Sequence, residues 1–289
     1  MAGKYKALAV KTPYWKPKDD YINDIIEAIK PVVADGDFVT VSEKAVSTAL
    51  GNIVDETKIK PSSLACFIAK YWMHIVWPYV LGPVCHLRKK TIDCLRAYPV
   101  EEGSRHKQLA LQRGGFLQAL MHGSEGGIDG SNLALSFVCL PLENAQEVVS
   151  ELQERIYHKL GKKVTVAVVD TDKTYSFKGF HFTPRPKPMK GIFSVGGFVA
   201  YVIGRSLKLQ KRATPLAFSG SSLSTEDAIE IAKIANRTRG AGAGRTVWDM
   251  AKNFKVSLTD VTWEMLEQTE HRPVVLIRFQ VTKIQNAQK

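Results

Sequence analysis

The sequence predicts an α+β protein, with helices and strands mixed along a chain of 289 residues. A chain of this length forms one large domain or two smaller ones with sizeable cores. Its centre shows a strand–helix–strand pattern. Residues 133–140 are apolar, residues 144–160 carry apolar side chains at helical spacing, and Gly161 ends that helix. The unbroken apolar run 164–169 then predicts a strand that is covered on both faces.

Three elements are predicted before this unit. Residues 19–30 place four isoleucines on one helical face after two acids, which indicates a helix. A turn at 35–37 leads into a strand at 38–41. The small and polar residues 42–55 predict a loop or the start of a helix, where backbone N–H groups can meet a ligand.

Residues 64–82 form the most apolar stretch of the chain. Lys70, His74 and Pro78 interrupt it, so we expect a buried helix that breaks near Pro78 rather than a membrane span. No signal peptide is visible, and no cysteines have the spacing of a metal site. We therefore expect a cytoplasmic protein that does not bind membranes and keeps its cysteines reduced. The cysteines are Cys66, Cys85, Cys94 and Cys139.

Residues 173–190 contain three prolines and several aromatic and basic residues but no acid, which predicts a long mobile arm. The remaining predicted elements are a helix or strand at 195–207, a helix at 224–236, a glycine-rich basic loop at 236–246, a helix at 263–269 and a strand at 273–279.

Asp170, Thr171 and Asp172 follow the apolar strand directly. Acids at the end of a buried strand are costly unless something pairs with them, and a divalent cation is the usual partner beside a phosphate-binding surface. From Lys173 to Thr225 the chain has nine basic residues and no acid. The pattern indicates a metal site that serves an anionic ligand. The alternative is an acid pair that caps a strand, followed by a solvated basic loop.

The formal net charge of +12 attracts nucleotides, nucleic acid, anionic metabolites or an anionic membrane surface, and charge alone does not choose among them. The segment GGIDGSN (126–132) places Asp129, Ser131 and Asn132 before the central unit. These side chains suit metal coordination, although taken alone the segment is typical of a turn. GAGAG at 240–244 lacks the P-loop pattern.

At this point the chain resembles the coenzyme F420-0:L-glutamate ligase family, the γ-glutamyl ligases of the deazaflavin coenzyme pathway. The likeness is discontinuous over most of the chain. It depends on TPYWKPKDDYINDII (12–26), GDFVTVSEKAVSTALGNIVD (36–55), GGIDGSN (126–132), VAVVDTD (166–172) and HRPVVLIRF (271–279). The resemblance implies a two-lobed mixed α/β fold without a P-loop. We expect one lobe at 1–102 with 209–289 and the other at 103–208.

In that family two acids bind divalent metal ions that engage the phosphates of GTP. The resemblance implies that Asp129 and Asp170 are metal ligands, and we add Asp172. It also implies that Lys44, Ser47 and Thr171 bind the nucleotide and that Ser131 and Asn132 bind the substrate. From the basic segment we add Arg185 beside the nucleotide and Lys187 beside the acceptor. His122 and His181 lie near the acid motifs, where a structural role is the common one.

We therefore predict a ligase that uses GTP and Mg²⁺ or Mn²⁺ to add glutamate to a carboxylate of an anionic acceptor, as in F420 biosynthesis. The resemblance implies a homodimer. One alternative is a nucleic-acid-binding protein that uses the basic surface. Another is a nucleotide-binding family member without this activity, because the residues after Thr171 differ from those usual in the family.

Overall fold

The computed structural model describes residues 4–220 and 223–280. The strands are β1 (Tyr5–Val10), β2 (Phe38–Ser42), β3 (Ile53–Asp55), β4 (Phe137–Cys139), β5 (Thr165–Phe177), β6 (Phe180–Thr183), β7 (Phe193–Ser194), β8 (Gln210–Phe218) and β9 (Val274–Phe279). Most of them belong to one mixed seven-stranded sheet with the order β1-β9-β2-β5-β6-β7, in which β8 also pairs with β5. A separate two-stranded sheet contains β3 and β4.

The helices confirm the predicted mixture of helices and strands. They are α1 (Tyr21–Ile29), α2 (Glu43–Ala49), α3 (Ser63–Phe67), α4 (Gly82–Val84), α5 (Lys89–Arg96), α6 (Val100–Arg113), α7 (Phe116–Ala119), α8 (Ala145–Leu160), α9 (Phe198–Ser206), α10 (Thr225–Arg239), α11 (Val247–Phe254) and α12 (Trp263–Glu267). A 3₁₀ turn spans Glu56–Lys58, and a π-helical segment, Ile68–Leu81, joins α3 to α4.

Local signals explain where the predicted helices begin and end. The side chain of Asp20 accepts a hydrogen bond from the backbone N–H of Asn23 and so caps α1. Ser224 caps α10 in the same way, through the N–H of Asp227. Gly161 ends α8 with a φ of 66°, a left-handed conformation that glycine adopts without steric cost.

Strand β5 is covered on both faces, as its apolar run predicts. Val166 and Val168 belong to a core cluster with α1 and α8, whereas Ala167 and Val169 pack with α10 on the opposite face. Successive side chains of a strand point to opposite faces, so both faces must be apolar when both are covered. A further core cluster joins the π-helical segment, α5 and α6.

The predicted strand–helix–strand unit is wrong in its first strand. Only Phe137–Cys139 is a strand, and it pairs antiparallel with β3 in the smaller sheet. The parallel partner of β5 is β2 instead. Asn132 and Leu135 take positive φ angles of 56° and 53°, so the backbone turns where an extended strand was predicted.

The acids Asp170 and Asp172 do not end a strand, because β5 continues to Phe177. Asp170 lies opposite Thr214 of β8, while Lys173 lies opposite the adjacent residue Ala213. Thr171 and Asp172 are therefore additional residues in a bulge, which redirects side chains away from the regular alternation. Pairing with β2 does end here, because the last parallel pair is Val169 with Ser42.

The prediction of a mobile arm at 173–190 is also wrong. Its first half lies in β5 and β6, which form a hairpin with Tyr175 opposite Phe182. Tyr175 and Thr183 are fully buried. Of the hairpin's aromatic residues, Tyr175 and Phe182 pack in the core while Phe177 and Phe180 are exposed, and the prolines follow β6 rather than interrupting it.

The apolar stretch 64–82 does not break near Pro78 and is not wholly buried. The helix runs through Pro78, and the N–H of Gly82 bonds to the carbonyl of Trp77, five residues earlier. By length and composition Ser63–Val84 could cross a membrane, and only 33% of its most apolar window is buried inside the protein. All four cysteines are free. The two predicted lobes stay a prediction.

Candidate functional site

The candidate site lies where the parallel strands β2 and β5 separate. Strand β2 ends at Ser42, and Glu43 and Lys44 follow in the first turn of α2. Strand β5 loses its pairing with β2 after Val169, so Asp170 follows at the same edge. Ligands of α/β proteins collect outside the carboxyl ends of parallel strands, where connecting segments bring polar side chains together.

Lys44 and Asp129 form the first half of the site. The Nζ atom of Lys44 lies 2.7 Å from Oδ2 of Asp129 and 2.5 Å from Oγ of Ser131. The other oxygen of Asp129 accepts a 2.7 Å hydrogen bond from the backbone N–H of Ser131. Backbone hydrogen bonds between Asp129 and Cys139 tie this loop to β4. A cation and a carboxylate are therefore held together at the end of β2.

Arg185 joins the acids of the two strand ends. Its Nη1 atom lies 2.6 Å from Oδ2 of Asp170, and its Nη2 atom donates a hydrogen bond to Glu43. All three side chains are almost completely buried. Burial raises the pKa of Glu43 to about 7, although Arg185 opposes that shift. Burial also disfavours the charged form of Asp170, but Arg185 and backbone N–H donors outweigh it and lower the pKa.

Asp172 lies in a different environment although it is only two residues from Asp170. Burial and the negative charge of Asp170 hold the pKa of Asp172 well above its usual range. Its Oδ2 atom is buried and has no hydrogen-bond partner among the described residues. The bulge thus leaves one carboxylate oxygen of the site unpaired, which is unusual for a buried polar atom.

A cavity of about 570 Å³ opens above these strand ends. Its basic residues are Lys44, Lys173, Arg237, Arg239, Arg245 and Arg272, whereas its acids are Asp129, Asp170 and Glu270. Tyr14 and Trp15 supply aromatic surface on the same wall. The excess of basic side chains favours an anionic ligand. The volume falls within the range typical of small-molecule sites.

The glycine-rich segment 240–244 forms one side of this cavity, which we call the nucleotide cavity after the ligand that the sequence analysis predicts. Oδ1 of Asn132 accepts a 2.7 Å hydrogen bond from the N–H of Ala243, and Nδ2 of Asn132 donates to the carbonyl of Gly244 at 2.9 Å. Asn253 donates a 2.7 Å hydrogen bond to the carbonyl of Ala243. The GGIDGSN segment therefore holds the glycine-rich segment in place.

The structure brings together six of the ten predicted site residues along the nucleotide cavity. They are Lys44, Asp129, Ser131, Asn132, Asp170 and Thr171. The other four do not line it. Ser47 is buried and donates its hydroxyl to the carbonyl of Leu140 at 2.8 Å. Lys187 is exposed, Arg185 is buried beneath the cavity wall, and Asp172 lies within the bulge.

The two histidines near the acid motifs do not line the nucleotide cavity. His122 packs edge-on against Trp77, and its Nε2 atom lies 3.0 Å from the hydroxyl of Tyr201. Burial lowers the pKa of His122 to about 4, so the ring is neutral at physiological pH. His181 lies 2.9 Å from the hydroxyl of Ser176.

Glu43 is the residue that the sequence analysis missed. Besides Arg185, its Oε1 atom accepts a 2.7 Å hydrogen bond from the N–H of Leu142. Its position, directly after a buried strand and in the first turn of a helix, was a signal that it lies at the strand edge. Arg239 and Arg245, which flank GAGAG in the sequence, also line the nucleotide cavity.

The carboxylates of this site suit Mg²⁺ or Mn²⁺, which phosphates and water help to hold, better than they suit a metal ion that protein side chains bind alone. No group of three His, Cys, Asp or Glu in the described ranges, 4–220 and 223–280, is placed to hold an ion. Mg²⁺ commonly binds through one or two carboxylates together with substrate phosphates and water. Asp129 and Asp170 line one cavity, whereas Asp172 lies in the bulge and does not line it. This donor set fits that ion only together with an anionic ligand.

Comparison with known proteins agrees with the motifs. The family model described as F420-0:Gamma-glutamyl ligase matches residues 9–182, which include Glu43, Lys44, Asp129 and Asp170. An uncharacterized protein of Methanocaldococcus jannaschii is 36% identical over 287 residues, which cover 95% of this chain and 96% of that protein. The similarity to that relative thus extends through the glycine-rich segment, which lies outside the family-model match.

Proposed function

The chain belongs to the F420-0:gamma-glutamyl ligase family, and on that premise we propose that it is a GTP- and divalent-metal-dependent amide ligase. In this proposal it adds glutamate to a carboxylate of an anionic acceptor. Membership of the family supports an amide ligase in general. The proposal of GTP, a divalent metal and an anionic acceptor depends on the nucleotide cavity. Lys44, Asp129 and Asp170 line this cavity at the ends of β2 and β5, among additional basic side chains.

The chemistry requires activation of the acceptor carboxylate, because its oxygen is a poor leaving group. An oxygen of that carboxylate attacks the γ-phosphorus of the nucleotide, and the bond from this phosphorus to the β-phosphate oxygen breaks. The products are an acyl phosphate and a nucleoside diphosphate. The amine of glutamate then attacks the acyl carbon, the nitrogen loses a proton, and inorganic phosphate leaves with the bonding electron pair. The overall products are an amide, a nucleoside diphosphate and phosphate.

The side chains of the protein position the reactants of these steps and supply charge to them. Lys44, Arg239 and Arg245 line the cavity where the phosphates would lie, and fixed cations stabilise the charge that develops during phosphoryl transfer. The glycine-rich segment offers backbone N–H groups without side chains in the way. Because Lys44 already contacts Asp129, nucleotide binding would exchange that contact for one with a phosphate oxygen.

Asp129 and Asp170 would hold a divalent cation together with the phosphates. When bound, the cation would neutralise the phosphate charge and orient the triphosphate. The buried Arg185 keeps Asp170 ionised, as its lowered pKa indicates, so this carboxylate is ready to accept a cation at neutral pH.

The test is a titration of the wild type, Asp129→Asn and Asp170→Asn with GTP and Mn²⁺ and, separately, with a labelled oligonucleotide. Each amide keeps the shape of its acid and removes the charge, so we expect metal-dependent GTP binding to be lost in both variants. Asp93→Asn is the matched control, because Asp93 is exposed on α5, where its side chain pairs with the nearby Arg96.

Two outcomes would contradict the proposal. Tight, salt-sensitive oligonucleotide binding by all four proteins, without a response to GTP, would indicate a nucleic-acid-binding protein, since counterion release drives such binding. Metal-dependent GTP binding without formation of GDP from any carboxylate and glutamate would indicate a family member that binds the nucleotide but has another role.

A further inference from the structure

A second and larger cavity, of about 740 Å³, lies beside the nucleotide cavity. Its walls come from α5, α6, the segment 122–130, β4 and α11. The two cavities share four residues, Asp129, Thr171, Lys173 and Arg245. A molecule in the second cavity can therefore reach the same wall as a ligand in the nucleotide cavity.

Apolar side chains form most of the surface of this second cavity. They include Leu95, Ile128, Leu135, Phe137, Val138 and Met250. The rings of Tyr98 and Trp248 lie 6.5 Å apart at an interplanar angle of 52° and add aromatic surface. A mainly apolar surface of this kind suits a ligand with an apolar or aromatic body, which the polar groups of the cavity orient.

The polar groups at the base of the cavity already satisfy one another. The ring nitrogens of His106 lie 2.6 Å from Glu56 and 2.9 Å from Glu125, so both are in use. Glu125 also accepts a hydrogen bond from the fully buried Lys107, whose Nζ atom donates to the carbonyl of Met121 at 2.5 Å. The negative charges of Glu56 and Glu125 balance the positive charges of His106 and Lys107. The base of the cavity therefore has no net charge and does not select a charged ligand.

The basic residues of the second cavity differ in whether an acidic side chain already neutralises them. Lys90 forms an ion pair with Asp249, and Arg105 forms one with Glu101, so these two cations are neutralised at the rim. Arg88 lines the cavity at the start of α5, whereas Lys173 and Arg245 lie on the shared wall. Lys173 donates a hydrogen bond to the carbonyl oxygen of Thr171, which has no full charge to neutralise it. The shared wall thus offers two cations to an anionic group.

We propose that the second cavity is the acceptor pocket and that the acceptor is a carboxylic acid with a mainly apolar body of aromatic-ring size or larger. Its body contacts Tyr98, Trp248 and the apolar wall, and its carboxylate lies beside Lys173 and Arg245. The role as acceptor depends on the proposed ligase function, whereas the preference for an apolar acid depends only on the cavity. The acceptor is then anionic at its reacting end rather than along its whole length.

The probe for this proposal is 2-naphthoate, with propane-1,2,3-tricarboxylate as a polar anion, and binding is measured by calorimetry. We expect 2-naphthoate to bind and the tricarboxylate not to bind. Trp248→Ala should weaken 2-naphthoate binding at least about tenfold while GTP binding with Mn²⁺ stays within about twofold. Trp72→Ala is the control, because Trp72 packs against the same core cluster but lines neither cavity.

A second measurement does not depend on removing a tryptophan. Cys94 lines the second cavity and is half-buried, while Cys66 is exposed and Cys85 and Cys139 are buried. In a Cys66→Ser protein, 2-naphthoate should slow the alkylation of Cys94 by N-ethylmaleimide at least about threefold by occupying the pocket. GTP with Mn²⁺ should leave this rate unchanged. Peptide mass spectrometry identifies the modified residue.

The results separate the pocket from the ligase function. Binding of the tricarboxylate but not of 2-naphthoate, or 2-naphthoate binding that leaves Cys94 unprotected, would overturn the pocket proposal. Protection of Cys94 in a protein that never responds to GTP would support the pocket and overturn its role as the acceptor site of a ligase. Protection together with metal-dependent GTP binding is the expected result.

Discussion

Arg185 and Asp170 form a buried ion pair, with Nη1 of the arginine 2.6 Å from Oδ2 of the acid. The same guanidinium bonds to Glu43, 142 positions away in the sequence. Arg185 therefore fixes the end of β5 against the start of α2, and these two segments carry Asp170 and Lys44 into the nucleotide cavity. Its role in this structure is to position the acids rather than to contact a ligand in that cavity.

Replacing Arg185 should destabilise the fold. Arg185→Met keeps much of the side-chain volume but leaves Asp170 and Glu43 buried without their cation. We expect a loss of roughly 3–5 kcal/mol in the free energy of unfolding, which is usual when one partner of a buried pair is removed. Urea unfolding at pH 7 measures it. Lys187→Met is the control because Lys187 is exposed two residues away, and it should change stability by less than about 0.5 kcal/mol.

Lys44 should matter more for ligand binding than for stability. It is partly exposed, and ion pairs of that kind contribute only about 0–1 kcal/mol to stability. Lys44→Gln should therefore leave the melting temperature nearly unchanged but weaken GTP binding about tenfold or more, since a charge-assisted hydrogen bond is worth about 1.5–3 kcal/mol. Lys233→Gln, which breaks an exposed pair with Glu230 on α10, should not affect GTP binding. Equal binding by both variants would show that Lys44 does not contact phosphate.

Asn132 should control the order of the glycine-rich segment. Asn132→Gly removes both hydrogen bonds to residues 243 and 244 and keeps a residue that tolerates the φ of 56°. We expect faster amide hydrogen exchange in residues 240–246 and weaker GTP binding, with a stability loss of about 1–3 kcal/mol. Lys178→Gly is the control because Lys178 has a similar φ of 46° in an exposed hairpin turn. Unchanged exchange in the Asn132 variant would contradict this role.

Sequence patterns predicted the elements whose signals are local. The apolar run at 164–169 gave a covered strand, and Asp20, Gly161 and Ser224 marked where helices begin or end. The motifs 126–132 and 166–172, with the family resemblance, placed Asp129 and Asp170 in one site. Both indeed line the nucleotide cavity.

The errors concern pairings between distant segments. No local pattern shows that β5 takes β2 as its parallel partner, because the two strands are more than 100 positions apart. The bulge at Thr171 and Asp172 depends on the register with β8, which the sequence of β5 alone does not contain. Arg185 appeared as part of a free basic segment because its partners, Glu43 and Asp170, lie in other parts of the chain.

The buried network of His106 predicts a pH dependence of stability. Burial disfavours the imidazolium, but Glu56 and Glu125 outweigh it and raise the pKa of His106 to about 10. A folded-state pKa above the unfolded value, about 6.5, means that the folded protein binds more protons between these pH values. The stabilisation by His106 is then complete below about pH 6.5 and is lost as the pH rises through about 10.

The measurement is the free energy of unfolding of the wild type and His106→Gln from pH 6 to pH 10. The neutral glutamine cannot titrate, so the advantage of the wild type should shrink by at least about 1 kcal/mol between pH 7 and pH 10. His158→Gln is the matched control because His158 is exposed on α8, where it has a loose ion-pair contact with Glu154 at 3.5 Å and a ring contact with Tyr157. A constant difference between the wild type and His106→Gln across this range would show that His106 is neutral in the folded protein. The base of the acceptor pocket would then carry a net negative charge, from two acids and one cation, and would repel an acid rather than admit its apolar body.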